Sequence, residues 1–248
     1  MLLILKTLLT YVAYAITLGI FLAFTMPYSL LFWPKRKHKK VFSSFVYGYM
    51  KWAVQTALKF IGVLEVKEII GLENVQKNAI LISNHQSFLD GFIVMGHIPS
   101  VPLIKSSYRF NPLFSLVALL FDFVNVEYTV KGISNVDKRI RDLLKNGETV
   151  CVFPEGTRSL DGKIRKFQSL AFKIAKDSQA PLIPVVIYYD RPIMSKSAKS
   201  FLFGKKINVK IRILPAIVAQ ENDGTAKLLR TAQEAVEKSY LQLSRSPL

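Results

Sequence analysis

The chain has 248 residues and a formal net charge of +17, from 34 Lys and Arg against 17 Asp and Glu. Half of its residues are apolar, so the composition favours a membrane surface, where anionic headgroups attract cations and apolar segments insert. The same charge would suit nucleic acid, but the sequence contains no helix-turn-helix, zinc-finger or RNA-recognition signature, and no nucleic-acid partner is expected. The single cysteine, Cys151, excludes an intramolecular disulfide and a cysteine-based zinc site.

The first predicted element is an apolar helix. No charged residue occurs between Lys6 and Lys35, and residues 7–26 form an apolar stretch that ends before Pro27. Such a helix is about 30 Å long, which matches the hydrocarbon thickness of a bilayer. The basic run Lys35–Lys40 follows and is expected to stay on the cytoplasmic side. This helix either spans the bilayer or enters one leaflet and returns.

The second predicted element, over residues 41–62, is a helix with two faces. Its polar residues step by three or four positions along one stripe, and mainly aromatic and small apolar residues occupy the opposite face. A helix of this kind lies on a membrane interface or packs against the protein core, and the segment alone favours neither. The apolar helix and the basic run before it favour the membrane. The sequence therefore predicts an N-terminal two-helix membrane anchor over residues 1–62.

From residue 63 onward, short runs rich in Val and Ile alternate with helical stretches. Gly, Pro, Asn or Asp bounds these runs, as is typical of strands. Alternating strands and helices favour an α/β domain over residues 63–248, with a mainly parallel central sheet flanked by helices. Cys151 falls inside one apolar run and is expected to be a buried small hydrophobe rather than a nucleophile. The predicted strands are 63–69, 79–83, 124–128, 149–153, 182–188 and 207–213, and the predicted helices lie near 88–97, 112–122, 134–145, 167–178 and 225–242.

The segment Asn84–Asp90 follows a predicted strand and contains one of only three histidines. The carboxyl end of a strand in an open α/β sheet is where ligands tend to bind. Ser87 and Asp90 have the spacing of a capping box, which predicts that Ser87 is the N-cap of the next helix. Within one helix, His85 and Asp90 would lie about 140° apart. A turn between them lets Asp90 reach back to one ring nitrogen of His85.

A His–Asp pair of this kind suits the activation of an alcohol. A general base accelerates attack by a hydroxyl group by roughly 10²–10⁴, and imidazole is the side chain best suited to exchange a proton near neutral pH. Asp90 would fix the ring tautomer and stabilise the imidazolium that develops, so an Asp90→Asn change is expected to impose the wrong tautomer. The alternative is a loop histidine with a satisfied hydrogen bond and an aspartate that only caps the helix.

The segment Phe153–Ser159 is a candidate anion site. Gly156 allows the backbone a positive φ or a close approach to a ligand, and Arg158 offers a planar fork that matches phosphate oxygens. Lys105, after another short apolar run, is a second candidate phosphate ligand. The alternatives are an ordinary β-turn with a solvated arginine and a surface lysine.

Taken together, four segments resemble the motifs of the glycerolipid acyltransferases, and specifically of the 1-acylglycerol-3-phosphate (lysophosphatidate) acyltransferases. The resemblance implies that His85 and Asp90 are the catalytic pair, in the spacing His-x4-Asp. The similar segments, in the family's order, are Asn84–Asp90, 105–112, Phe153–Ser159 and Ala180–Val186.

The same resemblance implies the remaining site residues. Glu155, Gly156, Thr157 and Arg158 match the family's glycerol-phosphate-binding motif, and Lys105 falls where a phosphate-contacting lysine is found. Similarity to the bacterial members extends, more loosely, to a two-helix membrane anchor.

The expected activity is transfer of a fatty acyl group from acyl-CoA or acyl carrier protein to the sn-2 hydroxyl of lysophosphatidate, giving phosphatidate for phospholipid synthesis. The hydroxyl is expected to attack the thioester directly, without an acyl-enzyme, and no metal or organic cofactor is implied. The protein is expected at the lipid bilayer, with the catalytic domain on the cytoplasmic side. The alternatives are another acceptor, such as glycerol-3-phosphate or another lysolipid, and a non-catalytic basic protein that binds membrane surfaces or nucleic acid.

Overall fold

The computed structural model describes residues 64–107, 124–127, 129–192 and 206–246, and, in the N-terminal segment, residues 12, 16, 19, 23, 47, 48, 51, 52 and 59. Within these residues, seven strands form one sheet in the order β1-β7-β6-β2-β5-β3-β4. The strands are β1 (Leu64–Ile70), β2 (Ile80–Ser83), β3 (Val101–Lys105), β4 (Val124–Val126), β5 (Val150–Val152), β6 (Leu182–Tyr189) and β7 (Ile207–Ile213).

Five neighbouring strands, from β6 through β2, β5 and β3 to β4, run parallel. Strand β7 is antiparallel to β6, and β1 is parallel to β7. Four α-helices occur in the described domain: α1 (Asp90–His97), α2 (Val130–Lys145), α3 (Leu170–Ser178) and α4 (Thr225–Arg245). The predicted α/β class with a mainly parallel sheet is confirmed.

The sheet separates two apolar layers, because successive residues of a strand point to opposite faces. Ile80 and Ile82 lie in the layer that also contains the buried residues of α2, α3 and α4. Leu81 lies in the other layer, with Ile93 and Val94 of α1. Burial on both faces explains why the central strands are continuous apolar runs in the sequence.

Two local predictions were wrong. Strand β3 was not predicted, because its run is short and contains Pro102, which has no N–H to donate to a sheet. Helix α2 was predicted from residue 134 but begins at Val130, because the Thr129 side chain accepts a hydrogen bond from the Gly132 N–H and caps the first turn. That turn carries the 91% exposed Val130, so it lacks the apolar spacing by which the helix was recognised.

The predicted anchor, residues 1–62, and the predicted helix near 112–122 lie almost entirely outside the described residues. Two described residues of the second predicted helix contact the domain. The Tyr47 hydroxyl donates to the Ser100 carbonyl at 2.8 Å, and Lys59 pairs with Glu65 at 2.9 Å. Among the residues that the structure describes, no helix has the length and hydropathy needed to cross a membrane.

Candidate active site

The candidate site lies at the carboxyl edge of the parallel strands. Strand β2 leads into Asn84–Asp90, β5 leads into Phe153–Ser159, and β3 ends with Lys105. Because these strands are adjacent and parallel, their carboxyl ends meet at one edge of the sheet. The fold therefore brings the predicted base and the predicted phosphate ligands to the same side of the molecule.

Asn84 fixes the point at which the chain leaves β2. Its side chain is fully buried and makes two hydrogen bonds to one residue of β6. The side-chain amide donates to the Ile187 carbonyl at 2.8 Å, and its oxygen accepts from the Ile187 N–H at 2.8 Å. These bonds extend the sheet by one step beyond the last paired residue of β2. The turn that carries His85 therefore starts from a rigid position.

Asp90 is the first residue of α1 and is fully buried. Its Oδ2 accepts three hydrogen bonds, from Nδ1 of His85 at 2.8 Å, from the Gln86 N–H at 2.7 Å and from the Ser87 N–H at 2.8 Å. An ionised carboxylate only accepts hydrogen bonds, so Nδ1 of His85 carries the hydrogen and Nε2 is the acceptor nitrogen. The predicted contact between His85 and Asp90 is present, while their catalytic role stays a prediction.

The prediction that Ser87 caps α1 is wrong. The helix begins at Asp90, its N-cap is Leu89, and no side chain caps it. The Ser87 hydroxyl accepts from the Leu89 N–H at 3.1 Å instead. Asp90 does accept from the Ser87 N–H, which is the reciprocal half of a capping box. The Asp90 carboxylate therefore accepts the hydrogen bonds that hold the turn, and Ser87 contributes its backbone N–H to them.

The imidazole of His85 stacks on the ring of Phe153, with centroids 4.3 Å apart and planes 26° apart. The His85 side chain is 21% exposed. The ring is thus held by a hydrogen bond at Nδ1 and by an aromatic face, and it still reaches the surface. An orientation fixed in this way is what a general base requires.

The backbone of His85 is held by the second motif on both sides. Its N–H donates to Oε1 of Glu155 at 2.7 Å, and its carbonyl accepts from the Ser159 N–H at 2.8 Å. The other carboxylate oxygen of Glu155 accepts from the Arg165 N–H at 2.9 Å. Residues 153–159 therefore wrap around the residue that carries the imidazole.

Glu155 is 4% exposed, and burial raises the pKa of its carboxyl to about 7, against the opposing effect of the two backbone hydrogen bonds. Both of its oxygens are engaged inside the protein, so Glu155 joins the two motifs. The prediction of phosphate binding therefore rests on Gly156, Thr157, Arg158 and Lys105. The family pattern groups Glu155 with its neighbours, so it does not show that Glu155 joins the two motifs while the other residues remain candidates for phosphate binding.

Gly156 has a φ of +68°, a conformation that favours glycine, and its N–H donates to the Phe153 carbonyl at 3.0 Å. The predicted turn is therefore present. Thr157 and Arg158 are half-buried directly before Ser159. Lys105 is exposed at the end of β3, and strand register places it two residues beyond the level of Val152. Lys105 thus ends β3, and Arg158 lies in the turn that follows the neighbouring strand β5, at the same edge of the sheet.

Two further residues of this region are relevant to its chemistry. Cys151 is fully buried, and burial raises the pKa of its thiol to about 12, so the prediction of a buried small hydrophobe is confirmed. Tyr189, at the end of β6, donates its hydroxyl hydrogen to Oδ1 of Asp90. The sequence carries no local signal for this contact, because the two residues are 99 positions apart.

Residues 67–188 match the family model described as acyltransferase. The matched segment contains both candidate motifs and Lys105, and it ends one residue before Tyr189. The chain belongs to the acyltransferase family, with its acyltransferase domain over these residues.

The similar proteins narrow the comparison within that family. The chain is 31% identical, over 191 residues, to a chloroplast 1-acyl-sn-glycerol-3-phosphate acyltransferase of Arabidopsis thaliana, covering 75% of this chain and 51% of that protein. It is 30% identical, over 142 residues, to 1-acyl-sn-glycerol-3-phosphate acyltransferase alpha of Homo sapiens, covering 56% of this chain and 49% of that protein. The chain thus spans about half the length of these curated relatives.

The fold is also that of a solved structure. The crystal structure of the 1-acyl-sn-glycerophosphate (LPA) acyltransferase PlsC from Thermotoga maritima superposes with a TM-score of 0.81 at 23% identity. The superposition covers 99% of this chain and 98% of that one. The two chains therefore share one fold.

Proposed function

We propose that this protein transfers a fatty acyl group from a thioester, acyl-CoA or acyl-acyl carrier protein, to the sn-2 hydroxyl of 1-acylglycerol-3-phosphate. The observation that carries the proposal is the hydrogen bond between Nδ1 of His85 and a buried Asp90, at the sheet edge of an acyltransferase domain. The names of the similar proteins support lysophosphatidate as the acceptor.

The geometry supports the following sequence of steps. Nε2 of His85 accepts the proton of the substrate hydroxyl while the hydroxyl oxygen attacks the thioester carbonyl carbon. The tetrahedral intermediate collapses, the carbon–sulfur bond breaks, and the imidazolium returns the proton to the leaving thiolate. Asp90 stabilises the imidazolium between these two steps. The base is regenerated, so the cycle needs no covalent acyl-enzyme.

Arg158 and Lys105 hold the substrate phosphate in this proposal. A guanidinium can bind two phosphate oxygens at once, and a second cation from the neighbouring strand fixes the direction of the glycerol backbone. Holding the acceptor in this way turns a bimolecular encounter into a positioned reaction. Anionic phosphate also suits a protein of net charge +17.

The experiment that tests the activity is thioester consumption by the purified full-length protein with a panel of acceptors. The panel contains lysophosphatidate, glycerol-3-phosphate, an uncharged monoacylglycerol and a lysolipid with a larger headgroup. We expect lysophosphatidate to be used with the highest kcat/KM, and His85→Ala to lower kcat by about 10²–10⁴. Full activity of a folded His85→Ala variant would refute the role of the base. A preference for another acceptor would reassign the substrate.

We further propose that residues 1–62 attach the protein to the bilayer, with the catalytic domain on the cytoplasmic side. The uncharged stretch 7–26 and the basic run Lys35–Lys40 support this arrangement. Apolar insertion resists salt, whereas electrostatic attachment is screened over about 10 Å at 0.1 M salt. The full-length chain is expected to stay with membranes in high salt and to be released by detergent. Release by salt alone would leave only a peripheral attachment.

A further inference from the structure

The carboxylate of Asp90 has an oxygen that the catalytic pair does not use. Oδ2 accepts from His85 and from two backbone N–H groups, whereas Oδ1 accepts from the hydroxyl of Tyr189. The carboxylate is fully buried and Tyr189 is 6% exposed, so water has little access to this hydrogen bond. A buried charge of this kind requires its hydrogen-bond donors, because nothing else replaces the lost hydration.

The position of Tyr189 is set by the sheet rather than by the turn that carries His85. It is the last residue of β6, which pairs with β2, and Val185, Ile187 and Tyr189 alternate onto the face covered by α1. Burial raises the pKa of Tyr189 well above its ordinary value, so its hydroxyl keeps its hydrogen and donates. The nearby negative charge of Asp90 acts in the same direction.

We infer that Tyr189 is a positioning residue for the catalytic pair: by holding Oδ1 of Asp90, it fixes the carboxylate so that Oδ2 stays on Nδ1 of His85. The role rests on the proposed function, since it acts only through His85 and Asp90. Among the residues that the structure describes, Tyr189 supplies the one donor to Asp90 from outside the turn and helix of the first motif. It therefore couples the position of the base to the end of β6.

The test is Tyr189→Phe, which removes the hydroxyl and keeps the buried ring. We expect kcat with lysophosphatidate to fall about 10- to 100-fold, the effect of losing one hydrogen bond to a buried charge. KM for lysophosphatidate should change less than about threefold, because the inferred role is indirect. A fall in kcat/KM that comes from a higher KM rather than from a lower kcat would overturn the inference.

Tyr188→Phe is the matched control. Tyr188 is the preceding residue of β6, and its ring faces the opposite layer, where it meets Tyr240 edge-on with centroids 5.5 Å apart. The same chemical change at this position should leave kcat within about twofold, because Tyr188 is half-buried on the face of the sheet opposite α1 and Asp90. Equal losses in the Tyr188 and Tyr189 variants would overturn the inference.

A second pair of variants separates positioning from packing. In a His85→Ala background there is no imidazole left to position, so adding Tyr189→Phe should lower the residual kcat by less than about threefold. Failure of Tyr189→Phe to fold would make the hydroxyl a structural requirement and would overturn the inference, as would an equal fall in kcat in both backgrounds. If His85→Ala retains activity, the proposed function fails. If His85→Ala is inactive and Tyr189→Phe is fully active, only the present inference fails.

Discussion

Asp90→Asn is the substitution for which the structure makes the sharpest prediction, because its hydrogen bonds determine how an amide would sit. Three N–H groups point at Oδ2, so the carbonyl oxygen of Asn must take that position. The amide nitrogen then faces the hydroxyl oxygen of Tyr189, which can accept a hydrogen bond. His85 keeps the hydrogen on Nδ1. The wrong tautomer expected from the sequence is therefore not expected from the structure.

What Asp90→Asn removes is the negative charge beside the developing imidazolium. Two unit charges about 4 Å apart attract each other by about 4 kcal/mol at an effective dielectric constant near 20. A loss of that size in the transition state lowers kcat by roughly 10³. The buried hydrogen bonds are retained in number, so the free energy of unfolding should change by no more than about 1–2 kcal/mol.

The assay is kcat for thioester consumption with lysophosphatidate, measured for Asp90→Asn, His85→Ala and the double variant. Because Asp90 acts through the imidazole, its substitution in the His85→Ala background should lower kcat less than about threefold. Asp137→Asn, on the surface of α2, is the control for loss of one negative charge and should stay within about twofold. An equal loss from Asp90→Asn in both backgrounds would refute the reasoning.

Four further substitutions test the structure of the site and of the helices beside it. Since burial raises the pKa of Glu155 to about 7 in the folded protein, this carboxyl stabilises the fold most at acidic pH and loses that contribution as pH rises through 7. Glu155→Gln does not titrate, so its free energy of unfolding should rise by about 2–3 kcal/mol relative to wild type between pH 5 and pH 8, measured with denaturant; parallel pH profiles would contradict this. Asn84→Ala leaves the buried carbonyl and N–H of Ile187 without their partners and should lower the free energy of unfolding by about 3 kcal/mol, measured by the same method. A loss below about 1 kcal/mol would contradict this. Gly132→Ala should destabilise the protein although the residue lies in a helix, because the added Cβ would lie 2.5 Å from the Glu127 carbonyl oxygen. Gly91→Ala places its Cβ at an ordinary 3.9 Å from the Phe153 ring and should stabilise the protein by up to about 1 kcal/mol; the opposite order of melting temperatures would contradict the geometry.

The central strands could be predicted because burial on both faces leaves a signal in every residue. Strands β2 and β5 are buried from end to end, as is β6 except at the half-buried Tyr188, and each was recognised from its own composition. Strand β3 has a half-exposed second half and a proline near its start, so neither continuous burial nor alternation marks it. The strand that presents Lys105 is therefore the one that local patterns failed to reveal.

The His–Asp contact could be predicted because it is local. Five positions separate the two residues, and a turn before a helix is enough to bring them together. The contacts that complete the arrangement are not local: the Glu155 bond spans 70 positions and the Tyr189 bond spans 99. A glutamate in a turn and a tyrosine in an apolar strand have many ordinary roles, so only the folded sheet shows which role each has here.

The structure also changes how the two motifs should be understood. The sequence presents one segment as a base and the other as a phosphate clamp, but His85 is hydrogen-bonded through both its N–H and its carbonyl to residues of the second segment. A shift of the 153–159 turn must therefore move the imidazole as well as Arg158. The two carboxylate oxygens of Glu155 accept from the backbone N–H groups of His85 and Arg165, so one side chain fixes two backbone segments. Substitutions at Glu155 are thus expected to alter the geometry of base and phosphate site together, although its carboxylate is bound entirely within the protein.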